Sequence, residues 1–229
     1  MSAVAHIDEY KQGTFYSNEF RGDMSWNGFE TNNLLRNDGC GEDGIPRFTD
    51  VAMALGADDG KDARGLAIAD FDNDGDPDFA INNNFGDSGK IERAAPTLLR
   101  NDIGQRRGWL ALDLQGTSSN RSAVGAVVTV EAGGVIQSRV VEIGSSYASQ
   151  HHRRLHFGLG DHPQADRVTV RWPAGGEEVF ENLPARSRVR IVEGQGVVDQ
   201  STEEPSLGAP ASGEPGSAKR SSEETAGTR

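Results

Sequence analysis

Short apolar runs, separated by turn residues, repeat along the chain from residue 109 to residue 192. In one of them Val168, Val170 and Trp172 alternate with Thr169 and Arg171, which is the period of two expected of a half-buried strand. No segment there has the spacing of an amphipathic helix, so the pattern predicts an antiparallel sandwich or barrel. The predicted strands are 109–114, 126–130, 135–143, 155–157, 168–172, 179–183 and 189–192.

The preceding part of the chain has fewer apolar runs and more Gly, Asp and Asn. Residues 48–51, 65–69 and 79–82 are predicted to be short strands, and an acidic segment joins the last two. The pentapeptide Leu-Leu-Arg-Asn-Asp at 34–38 recurs at 98–102, an offset of 64 residues. This offset is compatible with one β-propeller blade or a similar β unit, so an internal repeat is predicted.

The residues after 196 are mostly Ser, Glu, Gly, Pro and Ala, with almost no aliphatic side chain. Such a segment cannot bury enough apolar surface to offset its ordering entropy, so a disordered tail is predicted. With a second boundary near residue 104, the predicted domains are 1–103, 104–196 and 197–229. The predicted fold class is all-β: a partial β-propeller-type repeat, then an antiparallel β-sandwich or barrel-like domain, then the disordered C-terminal tail.

Acidic residues are concentrated in the first half of the chain. Residues 1–103 carry 20 acidic and 9 basic side chains, whereas 104–196 carry 9 and 11, within a net charge of -12. This acidity favours a hard cation and disfavours nucleic acid as a partner. No apolar run approaches the roughly 18 residues of a membrane span, and the first residues lack the basic then apolar order of a signal peptide. Cys40 is the single cysteine, so an intrachain disulfide or a cysteine zinc cluster is excluded.

The strongest chemical signal is the sequence Asp-Phe-Asp-Asn-Asp-Gly-Asp-Pro-Asp at 70–78. Its five carboxylates repel one another, and a hard divalent cation with oxygen ligands at about 2.3 to 2.6 Å removes that repulsion. The glycine at position six permits a sharp turn around the ion. Calcium is favoured over magnesium because a flexible loop rich in carboxylates suits a high coordination number. The predicted metal-site residues are Asp70, Asp72, Asp74, Asp76 and Asp78.

Asp76 differs from the other four aspartates, because position seven of such loops usually donates its backbone carbonyl. Its carboxylate is therefore expected outside the set of ligands. An EF-hand is excluded, because position twelve is Ile81 rather than Glu and the flanking sequence predicts strands. The alternative that remains is a solvated acidic turn that holds no metal.

The histidines at 151, 152 and 156 lie close together in the sequence and could suggest zinc. In a strand, however, His152 and His156 stand about 13 Å apart at 3.3 Å per residue, which is too far for one ion. They are therefore expected to be ordinary polar residues. The serines at 145, 146 and 149 lack a recognisable nucleophile setting, so no catalytic residue is assigned and the protein is predicted not to be an enzyme.

Two further features have a simple explanation. Trp109 and Trp172 lie inside predicted strands, so they are expected to pack in the core rather than to bind a ligand. The tripeptide Arg21-Gly22-Asp23 can bind integrins when a mobile loop displays it. Three residues occur easily by chance, however, and no function is assigned to them.

Residues 47–84, with RFTDVAMALG followed by RGLAIADFDNDGDPDFAINNN, resemble the FG-GAP or VCBS repeat of integrin-like β-propellers. The later stretches GWLALDLQGTSSNRSAVGAVVTV, SYASQ, LHFGLGD and VTVRWPAGG resemble the ASPIC/UnbV domain that follows such repeats in relatives of cartilage acidic protein. Together the two resemblances cover about residues 32–195. The first implies that the five aspartates of 70–78 match the calcium-loop aspartates of that family.

The resemblance implies a calcium-binding, non-catalytic module for adhesion or protein-partner recognition, in which the ion is structural. The partner would be a protein or a glycan, and the location extracellular or in the cell envelope. Two alternatives stay open. One is an accessory protein of a bacterial biosynthetic or oxidative pathway, with catalytic activity of its own, which turnover of a substrate would reveal. The other is a carbohydrate-binding module, which a glycan array would reveal.

Overall fold

The second half of the described chain forms a sandwich of two four-stranded sheets. The computed structural model describes residues 31–83 and 95–202. The eight strands are β6 (Gly108–Gln115), β7 (Val127–Ala132), β8 (Val135–Val140), β9 (Leu155–Gly160), β10 (Gln164–Arg171), β11 (Glu177–Pro184), β12 (Ser187–Val192) and β13 (Gly196–Thr202). One sheet has the order β11-β10-β7-β8 and the other has the order β13-β12-β6-β9.

The core lies between these sheets and draws side chains from both of them. The strands alternate buried and accessible residues, as the sequence pattern predicts. Each large aliphatic or aromatic side chain that is fully buried stabilises the fold by about 1.5 to 3 kcal/mol relative to its exposed state. The fully buried core residues include Leu110, Leu112, Val128, Val130, Phe157, Val168, Val170 and Ile191.

One strand pair differs from the predicted antiparallel arrangement. β12 runs parallel to β6, with Ser187 opposite Leu110 and Val192 opposite Gln115. The chain leaves β11 in one sheet and enters β12 in the other through a turn at Arg186, whose N–H donates to the carbonyl oxygen of Trp109. The period of two reports which face of a strand is buried and not the direction of its neighbour, so the sequence pattern cannot distinguish the two arrangements.

The first half of the described chain adds two smaller sheets. β1 (Leu35–Cys40) pairs with β2 (Pro46–Asp50), while β3 (Ala63–Ala69), β4 (Asp78–Asn83) and β5 (Thr97–Leu99) form a three-stranded antiparallel sheet. The three strands predicted in this region are confirmed. One helical turn, α1 (Ala52–Leu55), follows β2. The protein is thus all-β, and the strands within 31–83 and 95–202 do not close into a propeller.

The two copies of the repeated pentapeptide make the same local contacts. Arg36 bonds the carboxylate of Asp38 through Nε at 2.6 Å, and Arg100 bonds Asp102 in the same way at 2.8 Å. The side-chain oxygen of the asparagine between them accepts a backbone N–H from two residues later in each copy. Both copies include strand residues, in β1 and in β5, so the sequence repeat has a structural counterpart at this level.

The first six residues of the predicted disordered tail form part of a strand. Residues 197–202 belong to β13, which pairs antiparallel with β12 from Gly196 to Thr202. This is an edge strand whose side chains are mostly exposed, so backbone hydrogen bonds hold it in place and no apolar alternation marks it in the sequence. Residues 203–229 of the predicted tail lie outside the described residues, as does the tripeptide at 21–23.

Candidate metal centre

The acidic segment closes a hairpin between β3 and β4, as the sequence predicts. Ala69 and Asp78 pair across the two strands, and residues 70–77 form the connecting loop. Asn73 and Gly75 adopt left-handed backbone conformations, with φ of 60° and 98°. Asn and Gly are the residue types that adopt this region most readily, so the sequence itself encodes the tight turn.

Three of the five predicted aspartates bring carboxylate oxygens together. One oxygen from each of Asp70, Asp72 and Asp78 lies within 4.8 Å of the others. Asp78 is buried, and its two oxygens accept the backbone N–H groups of Phe71 and Asn101 at 2.9 and 2.8 Å. These bonds fix its carboxylate in place. Asp70 Oδ1 is also buried, and no hydrogen-bond donor reaches it.

The other two aspartates turn away from this cluster, towards the 3-10 turn at Gly104–Arg106. Asp74 Oδ2 accepts the side-chain amide of Gln105 at 3.0 Å, and Asp76 Oδ2 accepts the backbone N–H of the same residue at 3.0 Å. Burial is the main reason that the pKa of both carboxyls is raised, and that of Asp76 rises to about 7. The orientation of the Asp76 carboxylate therefore agrees with the expectation that it lies outside the set of ligands. Asp74 was expected to be a ligand, but its carboxylate is not part of the cluster of three.

The acidic loop rests on an aromatic side chain of the sandwich. Trp109 of β6 lies so close to Gly75 that a Cβ added to this glycine would stand 2.1 Å from its ring atom Cζ2. His156 of β9 donates through Nε2 to the carbonyl oxygen of Gly75 at 2.8 Å, and its ring stacks on Trp109 at a centroid distance of 5.9 Å. Burial lowers the pKa of His156, which favours the neutral ring. Glycine is thus required at position 75 by space as well as by conformation.

A cation of the sandwich also reaches the loop. Arg188 of β12 donates through Nη2 to Asp70 Oδ2 at 3.2 Å and to the carbonyl oxygen of Asn73. Its guanidinium lies 5.5 Å from the centroid of the Trp109 ring. The side chain of Asp70 is only 7% exposed, so this contact is shielded from solvent. Sequence reasoning did not connect Arg188, His156 or Gln105 with the acidic loop, because no local pattern relates them to a segment that is distant in sequence.

The donor set fits a hard cation. Carboxylate oxygens are the ligands that calcium prefers, and clustered negative charge in a partly buried loop is unfavourable unless it is neutralised. Arg188 offsets part of that charge, yet Asp70 Oδ1 stays without a donor. A cation within reach of Asp70, Asp72 and Asp78 would supply the missing partner. Further ligands would have to come from backbone carbonyls or water, because Asp74 and Asp76 point elsewhere.

The three histidines do not form a zinc site. His151 Nδ1 accepts the backbone N–H of Ile68, and His152 Nδ1 accepts that of Arg154, at 3.2 and 3.1 Å. Nε2 of His156 donates to the carbonyl oxygen of Gly75. Among the described residues, the acidic cluster is the one group of three or more candidate ligands close enough to share an ion.

The remaining candidates have structural contacts. Ser149 donates its hydroxyl to the carbonyl oxygens of Leu66 and Tyr147, at 2.9 and 3.0 Å. Trp109 and Trp172 are buried, 2% and 5% exposed, which confirms the prediction that both pack in the interior. Trp109 additionally forms the surface on which the acidic loop rests.

The second of the two sequence resemblances is supported by comparison with known families. Residues 116–198 match the family described as ASPIC and UnbV. The match covers just over a third of the chain and does not reach residues 47–84, so the FG-GAP or VCBS resemblance stays a prediction. A search of curated proteins found no match. Within the described residues, no helix is long and apolar enough to cross a membrane.

The ASPIC/UnbV segment depends on a strand that precedes it. β6 ends before residue 116, yet it lies between β12 and β9 and therefore in the middle of its sheet. The two ends of the segment are also joined, because Glu193 Oε2 accepts the backbone N–H groups of Thr117, Ser118 and Ser119 at 2.7 to 2.9 Å. These bonds lower the pKa of the Glu193 carboxyl. The sandwich thus comprises β6, the matched residues and the remainder of β13.

Proposed function

We propose that this chain is a non-catalytic calcium-binding module in which a structural ion fastens the β3–β4 hairpin, for adhesion or recognition of a protein or glycan partner. The observation that carries the proposal is the convergence of Asp70, Asp72 and Asp78, together with the buried Asp70 oxygen that has no donor. The FG-GAP or VCBS resemblance of the loop supports calcium in particular.

A structural role for the ion follows from what the loop touches. The carboxylate cluster and the Gly75 contact with Trp109 belong to one short loop, so a cation that orders the carboxylates also holds the glycine in place. The backbone of residues 70–77 would otherwise have to retain its left-handed turns against the repulsion of its own acids. The ion would therefore stabilise the contact between the hairpin and the ASPIC/UnbV domain.

The proposal also includes an extracellular or cell-envelope location. Calcium sites of extracellular modules have dissociation constants of about 0.1 to 1 mM, which suits a permanently loaded structural ion at millimolar calcium. Recognition should then require calcium indirectly, because the ion shapes the molecule and does not itself contact the partner. Glycan arrays and partner screens should be run in calcium and in chelator to show whether recognition requires calcium.

A calorimetric titration of the metal-stripped full chain tests the ion. We expect about one calcium per chain, and a thermal midpoint that rises with calcium, since a ligand at 100 times its dissociation constant stabilises by about 2.7 kcal/mol. Asp72→Asn should weaken calcium binding about tenfold or more, because it removes a ligand charge from an exposed side chain without disturbing the core. The matched control is Asp199→Asn, an exposed aspartate of β13. The proposal would be contradicted if the wild-type protein showed no heat of calcium binding and no calcium-dependent shift of its thermal midpoint.

A further inference from the structure

A second site is suggested by a cleft between the β3–β4 hairpin and the segment that joins β8 to β9. Its volume is about 760 Å³, within the range of roughly 300 to 1,000 Å³ that is typical of small-molecule sites. Apolar side chains, among them Ile68, Phe79 and Leu155, form part of its wall. The remaining wall is rich in Arg and His, in contrast to the acidic balance of the whole chain.

Two histidines of the wall are fixed as hydrogen-bond donors. His151 Nδ1 and His152 Nδ1 each accept a backbone N–H, so each neutral ring carries its proton on Nε2. Burial lowers the pKa of His152, which keeps that ring neutral near pH 7. Metal binding through either Nε2 would require that proton to leave, and the backbone bond to Nδ1 opposes the alternative tautomer. The two rings are therefore better suited to an acceptor ligand than to an ion such as zinc.

Two arginines of the wall have no carboxylate partner within the described residues. Arg139 lies with its guanidinium 5.6 Å from the centroid of the Phe157 ring, which restricts its orientation without neutralising it. Arg153 is exposed, in the same segment as the two histidines. The third arginine, Arg154, is paired with Asp113 at 2.9 Å. The wall thus presents two uncompensated guanidinium groups beside the histidine donors.

The acidic residues of the wall do not cancel its preference for an anion. Asp70 contributes to the cleft, but its Oδ2 is bonded to Arg188 and to the N–H of Gly75. Glu142 also lines the cleft, and its side chain is exposed to solvent. With Arg154 paired to Asp113 and Asp70 paired to Arg188, two arginines of the wall face one remaining carboxylate, that of Glu142. Guanidinium and imidazole N–H donors recognise carboxylate, sulfate or phosphate oxygens, and charge-assisted bonds of this kind are strong.

We propose that this cleft binds a small organic anion, in which an oxyanion is held by Arg139, Arg153 and the two histidine Nε2–H donors while an apolar body packs on Phe79 and Leu155. The apolar wall distinguishes such a ligand from a simple inorganic anion. The overall charge of -12 disfavours a nucleic acid. None of the four side chains assigned to the oxyanion is a proposed calcium ligand. Because Asp70 also lines the cleft, the anion is titrated both with calcium and with chelator, which separates its binding from that of the ion.

A matched set of probes tests the site on the full chain. Aromatic and aliphatic monocarboxylates, each paired with its own primary amide, are titrated into ¹⁵N-labelled protein at constant ionic strength, with inorganic sulfate as a further probe. We expect at least one acid to shift the amide signals of residues 139 and 151–154 saturably, and its amide to bind at least about tenfold more weakly, because the charge-assisted bonds are lost. Sulfate should bind more weakly than that acid.

Substitutions assign the binding to the cleft. Arg139→Gln and Arg153→Gln should each weaken binding of the acid about tenfold, and neither side chain is part of the buried core. Arg167→Gln is the matched control, because Arg167, like Arg139, is an exposed strand arginine, but it pairs with Glu181 outside the cleft. The proposal is overturned if no acid shifts these signals, if acid and amide bind equally, if sulfate alone binds as tightly, or if both cleft variants bind as wild type does. Unchanged chemical shifts elsewhere in the variants show that the fold is retained.

Discussion

Replacing Gly75 by alanine tests whether the acidic loop depends on its contact with the sandwich. The new Cβ would stand 2.1 Å from Trp109 Cζ2 and 2.3 Å from Cε2, closer than real Cβ contacts allow. The indole cannot move aside easily, because it is 2% exposed and contacts both His156 and Arg188. Two costs add: about 1 to 2 kcal/mol for a side chain at positive φ, and about 1 to 3 kcal/mol for overpacking. The free energy of unfolding should therefore fall by about 2 to 5 kcal/mol.

Gly134→Ala separates the two costs. Gly134 also has a positive φ, 82°, in the turn between β7 and β8, but nothing lies within 4 Å of a Cβ placed there. This control should lose only the conformational part, about 1 to 2 kcal/mol. Urea unfolding of both variants, followed by tryptophan fluorescence, gives the difference. If Gly75→Ala costs no more than Gly134→Ala and leaves the tryptophan emission of the folded protein unchanged, the loop does not rest on Trp109.

Three further outcomes are expected from urea unfolding at defined pH. In chelator, the free energy of unfolding should fall as pH rises from about 4 to about 7, because the raised pKa of Asp76 makes the folded state hold a proton that the unfolded chain releases. Asp76→Asn should flatten this slope. An unchanged slope in that variant would contradict the assignment of the slope to Asp76. The pKa of the Glu193 carboxyl is lowered in the folded state, so this group should stabilise the fold above its unfolded-state pKa. That stabilisation should be lost as pH falls through its folded-state pKa. Glu193→Gln should not show this loss. Leu112→Ala should cost about 2 to 5 kcal/mol and the exposed control Ile136→Ala less than about 0.5 kcal/mol, and similar values would show that the core is placed wrongly.

The strands of the sandwich could be predicted because their physical basis is local. A strand with one buried face must alternate side chains, and the alternation at 168–172 identifies β10 directly. The acidic hairpin was equally accessible, since its aspartates, its glycine and its flanking strands lie within one short segment. β13 shows the reverse case. Its side chains are exposed and only its backbone is paired, so composition alone suggested disorder.

The candidate site was predictable only in part, for a related reason. Spacing located the five aspartates but not the direction of their side chains, which depends on Gln105 and on the 3-10 turn next to it. Arg188 lies 118 residues from Asp70 along the chain, and no pattern within either segment encodes their contact. Such contacts arise from the packing of the hairpin on the sandwich. Side-chain identity therefore gives the chemistry that is available, and tertiary packing decides which groups meet.

The contact between loop and sandwich links calcium affinity to the stability of the hairpin. If the proposed ion binds Asp70, Asp72 and Asp78, it favours the loop conformation in which Gly75 lies on Trp109. A change that shifts the loop away from that conformation therefore weakens calcium binding, by at most the free energy of the shift. Gly75→Ala removes no carboxylate, yet it should lower calcium affinity. The affinity should fall about tenfold for each 1.4 kcal/mol of strain that calcium binding must overcome. Gly134→Ala, in a turn that does not contact the loop, should leave the affinity unchanged. Equal calcium affinity of Gly75→Ala and wild type would show that the ion and the contact with Trp109 are independent.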